Sequence, residues 1–368
     1  MKEILRLPDS IKIFGDCGAF QYRNLDKPPY TSKEVLNYYE KWGFDMGCSI
    51  DHIITNKKDP NTRIKRYNIT KQFAKECLDI YNSANYSFKL FGVAQGWSIK
   101  SYAESIDYLY DIGYKNLCVG GLVGLNKKKI TDPNDLTLKN LIKKMAPKFN
   151  KFEKVHIFGR GNLELIPLYI KSGVTQFDNN IMRKAWTDIK KSYHFFDSYS
   201  EKMRYYTSIR IRLINNRLGL HREEEFIFDE LKRFNDGKLT SEEFINSLKS
   251  YKDKYYKIKL ENYKSKARKS SNKANKKFYQ SKLLKYQNRD LDLNEDLLRK
   301  LLNDKPWNKC ECDICQKTGL HICVFRRRMR NTRRAFHNVF NYYQALKNIR
   351  SKDFEEISIK TLNSFLTK

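Results

Sequence analysis

Lys154-Val155-His156-Ile157-Phe158-Gly159 and Gly173-Val174-Thr175-Gln176-Phe177-Asp178 are two short apolar runs, separated by an amphipathic stretch at residues 162–172. A strand, a helix and a second strand in that order form a crossover unit, because two strands bridged by a helix pair in parallel. The same alternation fills the first two hundred residues. Further strand-like runs lie at 11–15, 47–50, 88–94 and 116–119, and helical patterns at 32–42, 70–82 and 101–112. So many repeats favour a (β/α) barrel over a dinucleotide-binding sheet, and no G-x-G-x-x-G sits at a strand–helix junction. A polar residue or glycine follows each run: Asp16, Asp51, Gln95, Gly120 with Gly121, Gly159 and Asp178. In a barrel those strand ends share one face, where catalysis sits. Any one of them is readily a turn residue or a helix cap. Six in succession are harder to assign to turns.

The chain of 368 residues is long enough for one large domain and a smaller attachment. Lys and Arg number 72 against 42 acids, a net charge of +30. That excess points to a polyanionic partner, since each neutralised phosphate releases condensed counterions. A lysine-rich composition accounts for part of it, but not for the clustered arginines. Tyr and Phe supply 24 and 22 residues, so the core is expected to be rich in aromatic rings. No apolar run is long enough for a membrane span, and the N-terminal residues lack the apolar stretch of a secretory signal. The eight cysteines form no disulfide framework, so a cytoplasmic, reducing location is expected.

From His221 the character changes. One amphipathic helix carries Phe226, Leu231 and Phe234, and Asn235-Asp236-Gly237 breaks it. A second carries Phe244, Leu248, Tyr251 and Tyr255. The stretch around Asp236-Gly237 resembles half a calcium loop, but Lys232 and Phe234 stand where its first and third ligands belong, which excludes calcium. Residues 257–285 are lysine-rich and polar, an exposed helical arm or linker that either contacts a nucleic-acid backbone or is simply solvated.

Cys310, Cys312 and Cys315 form a C-x-C-x2-C cluster, and His337 follows in Arg334-Ala335-Phe336-His337-Asn338. Three thiols and an imidazole suit a closed, structural, tetrahedral zinc site. His321 and Cys323 are alternative fourth ligands, but they would require the loop to fold back sharply. His337 is preferred because it projects from a helix.

These motifs resemble those of the tRNA-guanine transglycosylase superfamily, in the family's order and over most of the chain. Gly15-Asp16-Cys17-Gly18-Ala19-Phe20-Gln21 resembles its D-S-G-G-F/Y-Q loop, with Cys and Ala replacing Ser and Gly. Asp45 and Asp51 match a spaced pair of aspartates, and Val93-Ala94-Gln95-Gly96 a strand end whose Gln contacts the base. Val119-Gly120-Gly121-Leu122 resembles the segment whose glycines approach the heterocycle, and residues 173–178 the strand end carrying the nucleophile. The stretch after Asp178, Asn179-Asn180-Ile181-Met182-Arg183, departs from the C-V-L-P-T-R of the tRNA enzymes. With the Trp307 cysteine block and the arginine run at 326–334, it is more similar to the DpdA-like branch, which exchanges guanine in DNA for a 7-deazaguanine.

The resemblance implies an α/β fold, a (β/α)8 TIM-like barrel with a helical insertion and a C-terminal zinc-binding subdomain. In the family two strands precede the Asp16 loop, whereas about ten residues do here, so the barrel is expected to lack its first one or two strands. The expected domains are 1–215, 216–300 and 301–368, with residues 206–213 as a possible seventh barrel element. The expected activity is exchange of guanine in DNA for a base such as 7-cyano-7-deazaguanine. Asp178 would be the nucleophile through a covalent sugar intermediate, and Asp16 the general acid and base. Asp51, Gln95, Gly120, Gly121 and Leu122 would hold the base, with Phe20 or Tyr22 stacked on it. Such a base must leave its stack. Zinc would be structural, and Arg327, Arg330 and Arg333 would contact the backbone. Helper proteins of a DNA-modification system are further expected partners. The alternatives are the same exchange on tRNA and a non-catalytic nucleic-acid-binding subunit.

Overall fold

A computed structural model describes residues 1–54, 59–122, 125, 136–211, 221–287, 294–325 and 327–366; for 221–224, 285–287, 327, 328 and 351–366 it describes the backbone alone. The chain divides into two compact units, Met1–Asn179 and Asn180–Lys368.

The first unit is a six-stranded parallel sheet whose spatial order follows the chain: β1 (Phe14–Gly15), β2 (Met46–Cys48), β3 (Lys89–Ala94), β4 (Asn116–Val119), β5 (Lys154–Ile157) and β6 (Gln176–Phe177). Sequential parallel order curls the sheet into half a barrel. Strands β2 and β4 are buried at every position, as strands covered on both faces must be. Their register puts Ala94, Val119, Ile157 and Phe177 in one row, so Gln95, Gly120, Phe158 and Asp178 come level just beyond it.

Between the strands lie helices with clear start signals. Thr31 and Glu34 form a reciprocal capping pair for Ser32–Lys41, Asp59 and Pro60 open Pro60–Ser83, and Ser98 caps Ile99–Asp111. Residues 162–172 form a short 3-10 turn leading into Ile166–Lys171. The helix foreseen at 70–82 therefore starts ten residues earlier. In strands β1 and β2, the glycines Gly15 and Gly47 are required by packing: a Cβ on either would run into the Tyr39 ring. Tyr39 crosses them, and its hydroxyl donates to Cys48 O at 3.3 Å.

In the second unit, β7 (Tyr193–Asp197) and β8 (Lys202–Tyr206) form an antiparallel hairpin. Residues 206–211 are thus not a seventh strand of the parallel sheet. Tyr206 pairs with Tyr193, and Ile209 bridges to Val324; residues 212 and 213 lie outside the described ones. Helices His221–Asn235, Ser241–Lys269 and Glu295–Asp304 pack Leu231, Phe234, Phe244, Leu248 and Leu301 into one core with Trp307 and the cysteine cluster. Phe226, foreseen on the buried face, is 54% exposed. Lys273–Gln287 folds back along the distal half of Ser241–Lys269, so the lysine-rich segment is a helical arm. The unit ends in the helix Arg327–Leu366. Among the described residues, no helix is long and apolar enough to cross a membrane.

Candidate active site

The C-terminal ends of β1 to β6 surround a cavity of about 430 Å³, lined by Asp16, Phe20, Asp51, Gln95, Gly120, Gly121, Leu122 and Asp178. The base-pocket and catalytic residues expected from the sequence meet there, with the exception of Tyr22. Arg23, Arg66, Phe158 and Gly159 complete much of its wall.

Asp51 forms the floor and is 4% exposed. The Cys17 thiol donates to its Oδ1 at 3.0 Å, and the Gln95 amide donates to its Oδ2. Tyr22 donates its hydroxyl to the Asp51 carbonyl at 2.8 Å. Burial pushes the Asp51 carboxyl up to about 6; the thiol opposes that rise and the Asp16 charge adds to it. The Cys17 thiol is itself held well above its usual range, first by its contact with Cys48 and then by burial, so it remains a donor.

The glycine pair serves Gln95. A Cβ on Gly120 would lie 2.5 Å from Gln95 Nε2, and one on Gly121 would lie 2.5 Å from Oε1. Gly121 also has φ +72°, which glycine alone adopts without strain. Gln95 Oε1 in turn accepts from Ile54 N at 3.4 Å.

Asp178 follows β6 and is half exposed to the cavity. Its Oδ1 accepts from Gly159 N at 2.7 Å and lies 3.3 Å from His156 Nε2. A carboxylate oxygen only accepts, so His156 donates through Nε2. Its ring stacks on Phe14 with centroids 4.8 Å apart, and its Nδ1 is buried without a partner among the described residues. Asp16 opens to solvent at the cavity, yet the protein around it pushes its carboxyl up. Desolvation is the main cause, the Gly18 N–H opposes it, and the negative charge of Asp178 adds to the rise.

Phe20 is 56% exposed at the cavity, with the Arg23 guanidinium 4.1 Å over its ring. Tyr22 is buried beneath Asp51 instead, so the phenyl rings that line the cavity are those of Phe20 and Phe158. The residues that sequence reasoning passed over are His156, Arg23 and Arg66. Arg66 ties the walls together by donating to Ile53 O at 2.8 Å and Arg23 O at 2.7 Å. The signal for His156 was available, since a lone polar residue inside an apolar strand is informative.

In the second unit, Cys310, Cys312, Cys315 and His337 converge, all buried. His337 Nδ1 lies 3.6, 3.3 and 3.3 Å from the three sulfurs. Its Nε2 donates to His194 O at 2.7 Å, so the Nδ1 lone pair faces the thiols. Tyr193 stacks on the ring at 4.2 Å, and its hydroxyl lies 3.4 Å from Cys315 Sγ. This is a donor set able to hold a metal, with the outer contacts that orient such ligands. Cys323 is buried apart from this group, and His321 packs near Phe228.

The arginine run separates by role. Arg334 is fully buried and donates to Ile322 O at 3.0 Å and Ala185 O at 2.8 Å. Arg330 stacks on Phe228 at 4.7 Å, and Arg333 is exposed. The side chain of Arg327 lies outside the described ones.

A DNA-guanine transglycosylase of Salmonella montevideo is 31% identical over a 380-residue alignment, covering 96% of this chain and 80% of that protein. The chain belongs to the tRNA-guanine transglycosylase superfamily. The family model described as queuine tRNA-ribosyltransferase matches residues 14–187, the stretch that holds all six parallel strands. A queuine tRNA-ribosyltransferase of Lawsonia intracellularis (strain PHE/MN1-00) is 24% identical over 153 residues, 41% of this chain and 39% of that protein. As a member of the superfamily the chain is a transglycosylase, a pentosyltransferase by reaction class.

Proposed function

We propose that this transglycosylase removes guanine from DNA and inserts a 7-deazaguanine, such as 7-cyano-7-deazaguanine, through a covalent bond between Asp178 and the sugar. The observation that carries the reading is the meeting of Asp16, Asp51, Gln95 and Asp178 in one cavity, in a chain similar along nearly its whole length to a DNA-guanine transglycosylase. An Asp178 oxygen attacks C1′ as the C1′–N9 bond breaks, and the bonding pair leaves with guanine. Asp16 gives the departing base its proton and takes one from the incoming base. That base's nitrogen then attacks C1′ and frees Asp178. Gly159 N–H and His156 orient the nucleophile by holding its Oδ1. Asp51 accepts from the N1–H and amino edge of the base, Gln95 meets its carbonyl side, and Phe20 stacks on its face.

The three thiols and His337 suit a structural zinc ion, which when bound would hold this unit together and take no part in the exchange. Arg333, with Arg327 and Arg330, is assigned to backbone contact. The same exchange on tRNA is the second reading, favoured by the family model's description and by the relative from Lawsonia intracellularis.

The experiment offers labelled guanine or 7-cyano-7-deazaguanine with duplex DNA and bulk tRNA together. Label is expected in DNA, and a denaturation-resistant protein–DNA adduct should form with wild type but not with Asp178→Asn. Label entering only tRNA would select the second reading. No label and no adduct with either polymer would remove both.

A further inference from the structure

We propose that the helical hairpin formed by the distal half of Ser241–Lys269 and by Lys273–Gln287 is a DNA arm, which grips the phosphate backbone of the duplex. This rests on the reading of the chain as an enzyme acting on DNA and names a second surface for that partner.

The arm is a poor hydrophobic object. Tyr251 anchors the long helix in its unit's core, Tyr255 packs with Tyr256 and Ile258 of the same helix, and beyond them Ala267 is the one apolar side chain of that helix buried among the described residues. Tyr263 and Tyr279, with ring centroids 6.3 Å apart, join the two helices. Around this thin seam, residues 256–287 contain eleven lysines and arginines and one carboxylate, Glu261. Lys264, Arg268, Lys269, Lys273, Lys276 and Lys277 are all exposed, and none has an ion-pair partner among the described residues.

Ordinary helix stability does not account for this pattern. Surface helices usually interleave charges of both signs, because like charges three or four residues apart destabilise the helix. Cations in the last turn of the first helix suit its dipole, but Lys273, Lys276 and Lys277 stand in the first turns of the second, where acids are favoured. Elsewhere in this unit the usual compensation is present: Arg299 meets Glu242 and Glu295, and Lys249 meets Glu295. The arm's own sequence supplies one acid, Glu261, against eleven cations. A polyanion relieves the repulsion among its cations, and the distal fourteen residues of the long helix span roughly 21 Å, enough to follow several phosphates along a duplex.

The test uses the full-length protein and a 30-base-pair poly(dA)·poly(dT) duplex. It contains no guanine, so it engages the backbone without filling the base cavity. Lys264, Lys269, Lys273 and Lys277 are replaced together by Gln in one variant and by Arg in another. The Gln variant is expected to bind more weakly, with a log–log salt dependence shallower by roughly 0.9 for each phosphate no longer neutralised. The Arg variant should match wild type. Unchanged affinity and salt slope in the Gln variant would overturn the arm, as would an equal weakening in the Arg variant. Weakened binding of tRNA with unchanged binding of the duplex would overturn it in favour of an RNA contact. Because this duplex cannot be exchanged, the outcome is independent of whether label enters DNA in the exchange assay.

Discussion

His156 Nε2 and Asp178 Oδ1 lie 3.3 Å apart, joining the middle of β5 to the end of β6. The imidazole is held by its stack on Phe14, and the same carboxylate oxygen also accepts from Gly159 N–H. Asp178 is therefore fixed on one oxygen by two donors from the neighbouring strand and its loop.

Removing the side-chain donor should misplace Asp178, the proposed nucleophile, without emptying the base site. His156→Phe is expected to lower kcat by about 10–100-fold and to leave the KM for the free base near wild type, since small misplacements of reacting groups cost about that much. His156→Gln keeps an N–H and should recover part of the rate. Adduct formation in single-turnover experiments reads the same step. Equal rate reductions in both variants would mean that the ring acts only through packing.

Asp51 should make base binding pH-dependent. Its carboxyl is raised to about 6, and only the ionised form accepts from both donors of a guanine-type edge. The KM for the base is expected to rise as pH falls through about 6. Stability runs in the opposite sense. The folded chain holds this proton more firmly than the unfolded chain, so this group favours folding at low pH, and that contribution is lost as pH rises from about 4 to about 6. Asp51→Asn should bind base poorly at every pH yet melt at the same or a higher temperature at pH 7.

Metal analysis of the purified protein should find one zinc per chain. Chelation, or Cys312→Ser, should remove it and loosen the second unit, because the three thiols lie inside that unit's core. Hydrogen exchange should then rise around Tyr193, Trp307 and His337. Unchanged metal content in Cys312→Ser would exclude this ligand set.

Two adjacent arginines should respond in opposite ways. Arg334→Leu strips buried carbonyls of their donor, and each unsatisfied acceptor costs about 1–3 kcal/mol, so the melting temperature should drop markedly. Arg333→Ala should change stability by less than about 0.5 kcal/mol. It should instead reduce the salt slope of nucleic-acid binding by roughly 0.7–0.9. Denaturant melts and salt-titrated binding on both variants separate the two roles.

The strands were legible because each is a short apolar run ended by a chemically distinctive residue, and all six appear within a few residues of their expected places. Helix Pro60–Ser83 was read short because its first half lacks an apolar stripe, although Asp59-Pro60 marks its start. Residues 206–213 carry a strand-like pattern that is locally consistent with a seventh barrel strand. What pairs with Tyr206 and Ile209 is a long-range matter, and Tyr193 and Val324 take those positions.

Local sequence alone determined the strand–helix alternation, the cavity residues at the strand ends and the four converging metal-type ligands. Periodicity and motif spacing act over a few residues, and a parallel sheet in chain order brings successive strand ends to one face whatever the helices do. Only the tertiary structure decided what stands behind those residues: Cys17 and Tyr22 under Asp51, His156 against Asp178, and Arg334 drawn fully inside while Arg333 keeps access to solvent. Most of those pairings join residues many positions apart. They are set by strand register and by which side chain reaches a buried partner, neither of which leaves a local pattern.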